Sequence, residues 1–403
     1  MYFGGHNFWE GLFETVNIMF IKSLFAHQIV GHSNVLMTTI VPKKVSKEKY
    51  DDLVDKEQKL KQFLLIYDVA IDFFHIRGRT LIGLFNASQE ILRLTSKYED
   101  RFIWAANYFN CFIGVLIKKQ SPKTRLHFDM RGLVPEEELH YSYSNILFRF
   151  LKFLVLRWME RVNIKNADSV SVVSRRFKKL IVTKYQLSPR TIEIIPCFFN
   201  YEQFYLDKES REKYRRQYQI EDHQKLVLFS GMLQKWQVPD LLFSFIKEIQ
   251  TQDKEREFRF MMLTFDQDKA HHLMAKYDIR DMIIHAAHEK VLNGFYNAAD
   301  IGIALRSADI VSFVSSPVKI PEYLATGNCL ILLGLIGDFG LDLRNKKYVL
   351  IKKDKTELLS TSIEEIKRLH KPNVTDLQEI QERYGIQSYM EVIKKIINKK
   401  NAY

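Results

Sequence analysis

The chain has 403 residues, 46% of them hydrophobic and 27% charged, with 16 glycines and 9 prolines. That length suits two domains of ordinary size, and the composition excludes a disordered or fibrous protein. The formal net charge of +12 is uneven: residues 1–200 hold 29 Lys and Arg against 19 Asp and Glu, and residues 201–403 hold 31 against 29. A basic first half fits nucleic acid, a phosphorylated substrate, an acidic membrane face, or simply a basic solvated surface.

In chain order, the opening "MYFGGHNFWEGLFETVNIMF" lacks the basic start of a secretory signal, and no run approaches the ~18 apolar residues of a spanning helix. The expected location is therefore the cytoplasm. A doubly wound domain should open with a strand ahead of a glycine turn, but only three residues precede "GGH", so that strand is missing or very short. Short β-branched and aromatic runs follow as predicted strands: "NVLMTTIV" (34–41), "YDVAIDFFHI" (67–76), "RFIWAAN" (101–107), "RLHFDM" (125–130), "SVSVVS" (169–174) and "TIEIIPC" (191–197). Helical periods separate them, among them "NILFRFLKFLVLRWMERV" (145–162), with Arg149, Lys152, Arg157 and Arg161 among its aromatic residues. That helix reads either as core or as a basic face for anionic lipid.

The series restarts after a charged helix: "KLVLFSGML" (225–233), "FRFMMLTF" (258–265), "DMIIHAA" (281–287), "DIGIAL" (300–305), "CLILLG" (329–334) and "KYVLIKK" (347–353). Strands alternating with helices imply parallel sheets covered on both faces, and two series imply two doubly wound α/β domains, 1–200 and 201–403. The tail "SYMEVIKKIINKKNAY" reads as an amphipathic helix ending in lysines, and in two-domain folds of this kind such a helix can cross back onto the first domain. Cys111, Cys197 and Cys329 lie far apart in apolar settings, so neither zinc nor a disulfide is indicated.

Ligands of open parallel sheets bind beyond the carboxyl ends of the strands. Gly231, Lys235, His288 and Arg306 fall there. A glycine admits close approach, and Lys or Arg suits phosphate. The same residues also suit plain strand-to-helix turns. "SSPVKIPEYLATG" (315–327) adds a helix start capped by Ser315 or Ser316, with Lys319 for phosphate, Glu322 placed to accept from ribose hydroxyls, and Gly327 as the C-terminal cap. A capped helix with a Lys–Glu pair one turn apart accounts for the same residues without a ligand.

This segment resembles the donor site of the family 4 retaining glycosyltransferases of GT-B fold, one branch of which carries S-P-x-K-x-x-E-Y-x-A-x-G. Ser316, Pro317, Lys319, Glu322, Tyr323, Ala325 and Gly327 match it. "NADSVSVVSRRFKKLI", "IIPCFFNYEQF", "FSGMLQKW" and "HFDMRGLVPEE" are similar to further family segments, so the likeness spans most of 100–340. Two positions depart from it: Val314 stands where the wider family has a first glutamate, and Met232 where an arginine is common.

The resemblance implies two Rossmann-like domains facing a cleft. The second would hold a nucleotide-diphosphate sugar on Gly231, Lys235, His288, Arg306, Ser315, Ser316, Lys319 and Glu322. The first would bind a glycan or polyprenyl-linked acceptor near Gly4, Gly5, His6, Asp129 and Arg131, although Asp129 and Arg131 also read as a structural ion pair. It implies retention of anomeric configuration, no metal or other cofactor, and work on capsule, exopolysaccharide or O-antigen chains at the cytoplasmic membrane face. A non-catalytic nucleotide- or glycan-binding scaffold and a sugar-nucleotide epimerase are the alternatives. Nucleic acid is not an expected partner, because no recognition motif accompanies the charge.

Overall fold

The computed structural model describes residues 2–4, 18–29, 35–41, 46–77 and 79–399. Gly5 and His6 lie outside them. The chain divides into two compact units, Met1–Pro196 with Ile386–Tyr403, and Cys197–Gly385.

The first unit holds seven strands: β1 (Tyr2–Gly4), β2 (Val35–Val41), β3 (Ile71–Arg77), β4 (Phe102–Ala105), β5 (Arg125–Met130), β6 (Ser169–Val172) and β7 (Ile192–Ile194). They form one sheet in the order β3-β2-β1-β4-β5-β6-β7, every pairing parallel. Parallel strands are buried on both faces, which is why β2 is apolar or β-branched throughout and buried at all seven positions. The short first strand is present: three residues suffice because Tyr2 pairs with Leu36 on one side and Ile103 on the other. The tail belongs to this unit. Its helix Met390–Asn398 buries Met390, Ile393, Ile396 and Ile397, and Arg125 donates to the carbonyls of Ile397 and Lys399 at 2.5 and 3.1 Å.

The second unit holds β8 (Lys225–Ser230), β9 (Phe258–Leu263), β10 (Met282–His285), β11 (Ile301–Ala304), β12 (Cys329–Leu333) and β13 (Val349–Lys352). Their order is β10-β9-β8-β11-β12-β13, again all parallel. Strand order reverses between β8 and β11, so a crevice opens at their carboxyl ends. The amino ends are tied by Asp300, whose carboxylate accepts from Leu226 N–H at 2.9 Å and from Arg211 and Arg215 at 2.8 and 3.1 Å. Cys111 and Cys329 are buried and Cys197 is half-buried.

Candidate functional site

The site forms around the reversal point of the second sheet. Gly231 follows β8 directly and has φ +134°, a backbone region that side chains with a Cβ rarely enter. A Cβ there would stand 3.2 Å from Gln237 Nε2 and 3.3 Å from Lys319 Nζ. Gln237 is buried in the short 3-10 turn Lys235–Gln237. It donates through Nε2 to Met232 O at 2.6 Å and accepts the Lys319 ammonium on Oε1. Lys319 Nζ also lies 4.3 Å from the Phe229 ring centroid, a cation–π contact. One glutamine and one ring thus fix a cation against a bare Cα.

Lys319 opens the helix Lys319–Ala325. The residue is half-buried, but its ammonium is enclosed. Burial pushes it well below the usual lysine range, and the Arg306 guanidinium pushes the same way, against the pull of Glu322. An anion arriving beside Lys319 would favour its charged form against the burial and the Arg306 charge that disfavour it.

Glu322 is one turn further on and 6% exposed. The Tyr296 hydroxyl, with one proton to give, lies between Glu322 Oε2 at 3.4 Å and Ser230 Oγ at 3.0 Å. Burial first, and then the Glu322 charge, hold the Tyr296 phenol well above its usual range, so it stays a donor. The Tyr323 hydroxyl accepts from Ser230 N–H at 2.8 Å, pinning the helix to the end of β8. Gly302 in β11 makes room for that ring, because a Cβ would lie 2.4 Å from Tyr323 Cδ2. The helix ends at Gly327 (φ +75°), where Gly327 N–H donates to Leu324 O at 2.9 Å and Asn328 N–H to Tyr323 O at 3.0 Å, a Schellman cap.

The expected serine cap at the other end is not made. The helix is preceded by Val318 in αR conformation, with no side-chain cap. Ser316 Oγ instead accepts from Cys197 N–H at 3.1 Å, and Ser315 donates both its N–H and its hydroxyl to Ser312 O, at 3.3 and 2.9 Å. These serines shape the turn before the helix. Val314 is buried at 1% exposure and brings no carboxylate.

The structure therefore brings Gly231, Arg306, Lys319 and Glu322 together. Lys235 is exposed on the turn that carries Gln237, and His288 is exposed beside Phe265, 5.3 Å between ring centroids. Sequence reading missed Gln237, Tyr296, Ser230 and Phe229. Gln237 stands just after the "GMLQKW" turn, and extending that segment by one residue would have included it. Among the described residues, no group of three His, Cys, Asp or Glu is placed to hold a metal ion.

In the first unit, Gly4 ends β1 and Asp129 lies near the end of β5. Asp129 is fully buried. Its Oδ1 accepts from Ser171 Oγ at 2.8 Å, and its Oδ2 accepts from Arg131 Nε at 2.7 Å and Trp104 Nε1 at 3.3 Å. Its role is to hold Arg131. His127 joins the same network through Ser169 and Ser171, at 2.8 and 3.0 Å.

The basic helix Ile146–Asn166 turns much of its charge to the protein itself. Arg149 donates to Leu139 O, Lys152 to Glu138 at 3.1 Å, and Arg157 to Glu136 and to the buried Glu160. These three cations face protein acceptors, and Arg161 remains exposed.

No family model and no curated protein matches the sequence. Solved structures do match it. Anabaena Alr3699/HepE in complex with UDP and glucose superposes with a TM-score of 0.71 over 99% of both chains at 12% identity. A glycosyltransferase from Rickettsia africae ESF-5 gives 0.68 over 99% of this chain and 98% of that one at 15% identity. WaaG, a glycosyltransferase involved in lipopolysaccharide biosynthesis, gives 0.66 over 98% of this chain and 99% of that one at 12% identity. At such identities the likeness is one of fold, and in fold this chain is a GT-B protein built of two Rossmann-like domains.

Proposed function

We propose that the protein is a glycosyltransferase that moves a sugar from a nucleotide-diphosphate donor to a glycan or lipid-linked acceptor with retention of anomeric configuration. One observation carries the reading: an enclosed lysine and a buried glutamate, one turn apart, stand beside a positive-φ glycine at the reversal point of a parallel sheet. The solved structures of HepE with UDP and with UDP-glucose support the choice of ligand class. Lys319, Arg306 and Lys235 would meet the diphosphate, and Glu322, oriented by Tyr296, would accept from the ribose.

In the step proposed, the bond between the anomeric carbon and the β-phosphate oxygen breaks, and the leaving diphosphate takes up the negative charge. The acceptor oxygen forms its bond on the same face, and its proton passes to the leaving phosphate. The fixed cations stabilise the charge where it develops, so we propose that no metal is needed. In the first unit, Gly4 and Arg131, the latter held by Asp129, are the proposed acceptor contacts. A cytoplasmic role in capsule, exopolysaccharide or O-antigen assembly fits this chemistry.

The test is incubation with a panel of nucleotide sugars and glycan or lipid-linked acceptors, followed by NMR of the product anomer. Transfer with retention supports the proposal. Inversion removes the mechanism, and nucleotide binding without transfer under every pairing favours a non-catalytic scaffold, a reading to which buried Val314 lends itself.

A further inference from the structure

The helix Lys47–Leu65 of the first unit crosses from β2 to β3 and turns Leu53, Glu57, Leu60 and Leu64 inward at i, i+4, i+7 and i+11, all of them buried. A leucine at 57 would complete that stripe, whereas a carboxylate withdrawn from water has to be paired. Its partner is His75 on β3, whose Nε2 lies 2.8 Å from Glu57 Oε1. The other ring nitrogen, Nδ1, lies 3.2 Å from the hydroxyl of Tyr50, which stands two helical turns before Glu57 on the same face. Carboxylate, imidazole and phenol thus form a chain that starts at buried Glu57 and ends at half-buried Tyr50.

The chain has a direction. An ionised carboxylate only accepts, so Glu57 fixes the imidazole proton on Nε2, and Nδ1 is left to accept from the Tyr50 hydroxyl. With its one proton drawn inward, the Tyr50 oxygen offers the outside lone pairs only. The residue beside His75 in register on β2 is Thr39, which is uncharged. The helix Leu81–Leu94, which also packs on β3, turns uncharged Leu84, Ala87, Ser88 and Ile91 inward. A polar network built for stability alone closes on itself. Here Thr39 is fully buried, and its hydroxyl has no hydrogen-bond partner among the described residues.

The place of the chain in the sheet suits a ligand. His75 is third from the end of β3, and Tyr50 lies in the first turn of a helix that follows β2, so both stand at the carboxyl edge. Thr38 pairs with Gly4 on one side and Phe74 on the other. His75 is therefore one residue beyond the level of Gly4, two strands away, or about 10 Å across the sheet. That edge is where ligands of parallel sheets bind.

We propose, resting on the glycosyltransferase reading above, that Tyr50 is a binding residue for the acceptor glycan. Its oxygen accepts from a sugar hydroxyl, and His75 and Glu57 are positioning residues that keep the phenol proton turned inward. An acceptor that also meets Gly4 would extend along the edge from β1 to β3.

Tyr50→Phe removes one oxygen and keeps the ring. The full chain is assayed with the octyl glycosides of hexoses and N-acetylhexosamines as acceptor probes, by KM where they turn over and by Kd with UDP present where they do not. Tyr50→Phe should raise the acceptor KM or Kd about tenfold, the loss of one hydrogen bond, and leave kcat and donor KM within about twofold. Glu57→Gln should raise the acceptor constant in the parent and leave it unchanged in Tyr50→Phe, because it acts only through that hydroxyl. Imidazole nitrogen NMR near pH 8 should show His75 protonated on Nε2 in the parent and a shifted tautomer balance in Glu57→Gln. Stabilisation by UDP should be the same in all variants, which keeps the donor site apart. UDP that fails to stabilise the parent refutes the donor reading and this one with it. With that stabilisation intact, this proposal alone is overturned by His75 protonated on Nδ1, by a Tyr50→Phe protein with the parent's acceptor constant, by a Glu57→Gln effect that persists in Tyr50→Phe, or by a parent that neither binds nor glycosylates any of the glycosides.

Discussion

Substituting Gly231 with alanine adds one methyl group at the point where the account places the diphosphate. Two costs follow. The first is backbone strain: at φ +134° an alanine is held in a region essentially reserved for glycine, at about 1–3 kcal/mol. The second is crowding, because the new Cβ would lie 3.2 Å from Gln237 Nε2 and 3.3 Å from Lys319 Nζ. Both atoms end flexible side chains and can retreat by a few tenths of an ångström, so strain should dominate the stability loss in urea unfolding. Binding should suffer separately. The new methyl group would hold the diphosphate off the Cα and away from the ammonium, and loss of that charge-assisted hydrogen bond costs about 1.5–3 kcal/mol, or roughly ten- to hundredfold in Kd for UDP by calorimetry. Gly327→Ala is the control. It too carries a positive φ, +75°, and meets the Leu206 side chain, but it lies at the far end of the helix Lys319–Ala325. It should cost comparable stability and leave UDP affinity intact. A Gly231→Ala protein that binds UDP like the parent, or a Gly327→Ala protein that loses affinity equally, would refute the reasoning.

Glu322→Gln keeps shape and removes charge, and should weaken UDP binding by about 1–3 kcal/mol, measured by the same calorimetry. Transfer activity should survive EDTA; activity that disappears and returns with magnesium or manganese would count against the cation cluster as the sole charge partner. His127, buried between Ser169 and Ser171, has its pKa held down to about 4, chiefly by burial. The unfolded chain therefore takes up this proton first as pH falls from about 6.5. The stability tied to a neutral His127 is present above that value and lost on the way down to pH 4, up to about 3 kcal/mol in all. Urea midpoints across this window should fall in the parent and flatten in His127→Gln.

The strands were legible because parallel strands buried on both faces leave nearly continuous apolar runs such as "VLMTTIV" and "CLILL". Strand β1 was not, since three residues carry no period, and its place depends on Leu36 and Ile103 far along the chain. Lys319, Glu322 and Gly231 could be found from position and residue type alone. Gln237 could not, because its meaning lies in a bond to Lys319 82 residues away. The serine cap failed for the same reason: Ser316 is claimed by Cys197, 119 residues earlier, and local capping rules cannot see that claim. For the helix Ile146–Asn166 the sequence left two readings open, because a count of cations does not reveal their acceptors, which come from 136–139 and from Glu160 on the helix itself.

The central claim is that the donor nucleotide binds at the reversal point of the second sheet. A crystal structure of the protein with UDP tests it most directly. The account predicts the diphosphate within hydrogen-bond distance of Lys319 Nζ and against the Gly231 Cα, with a ribose hydroxyl donating to Glu322. UDP bound elsewhere, or a diphosphate at the crevice with Lys319 still closed onto Gln237 and turned away from it, would contradict the account.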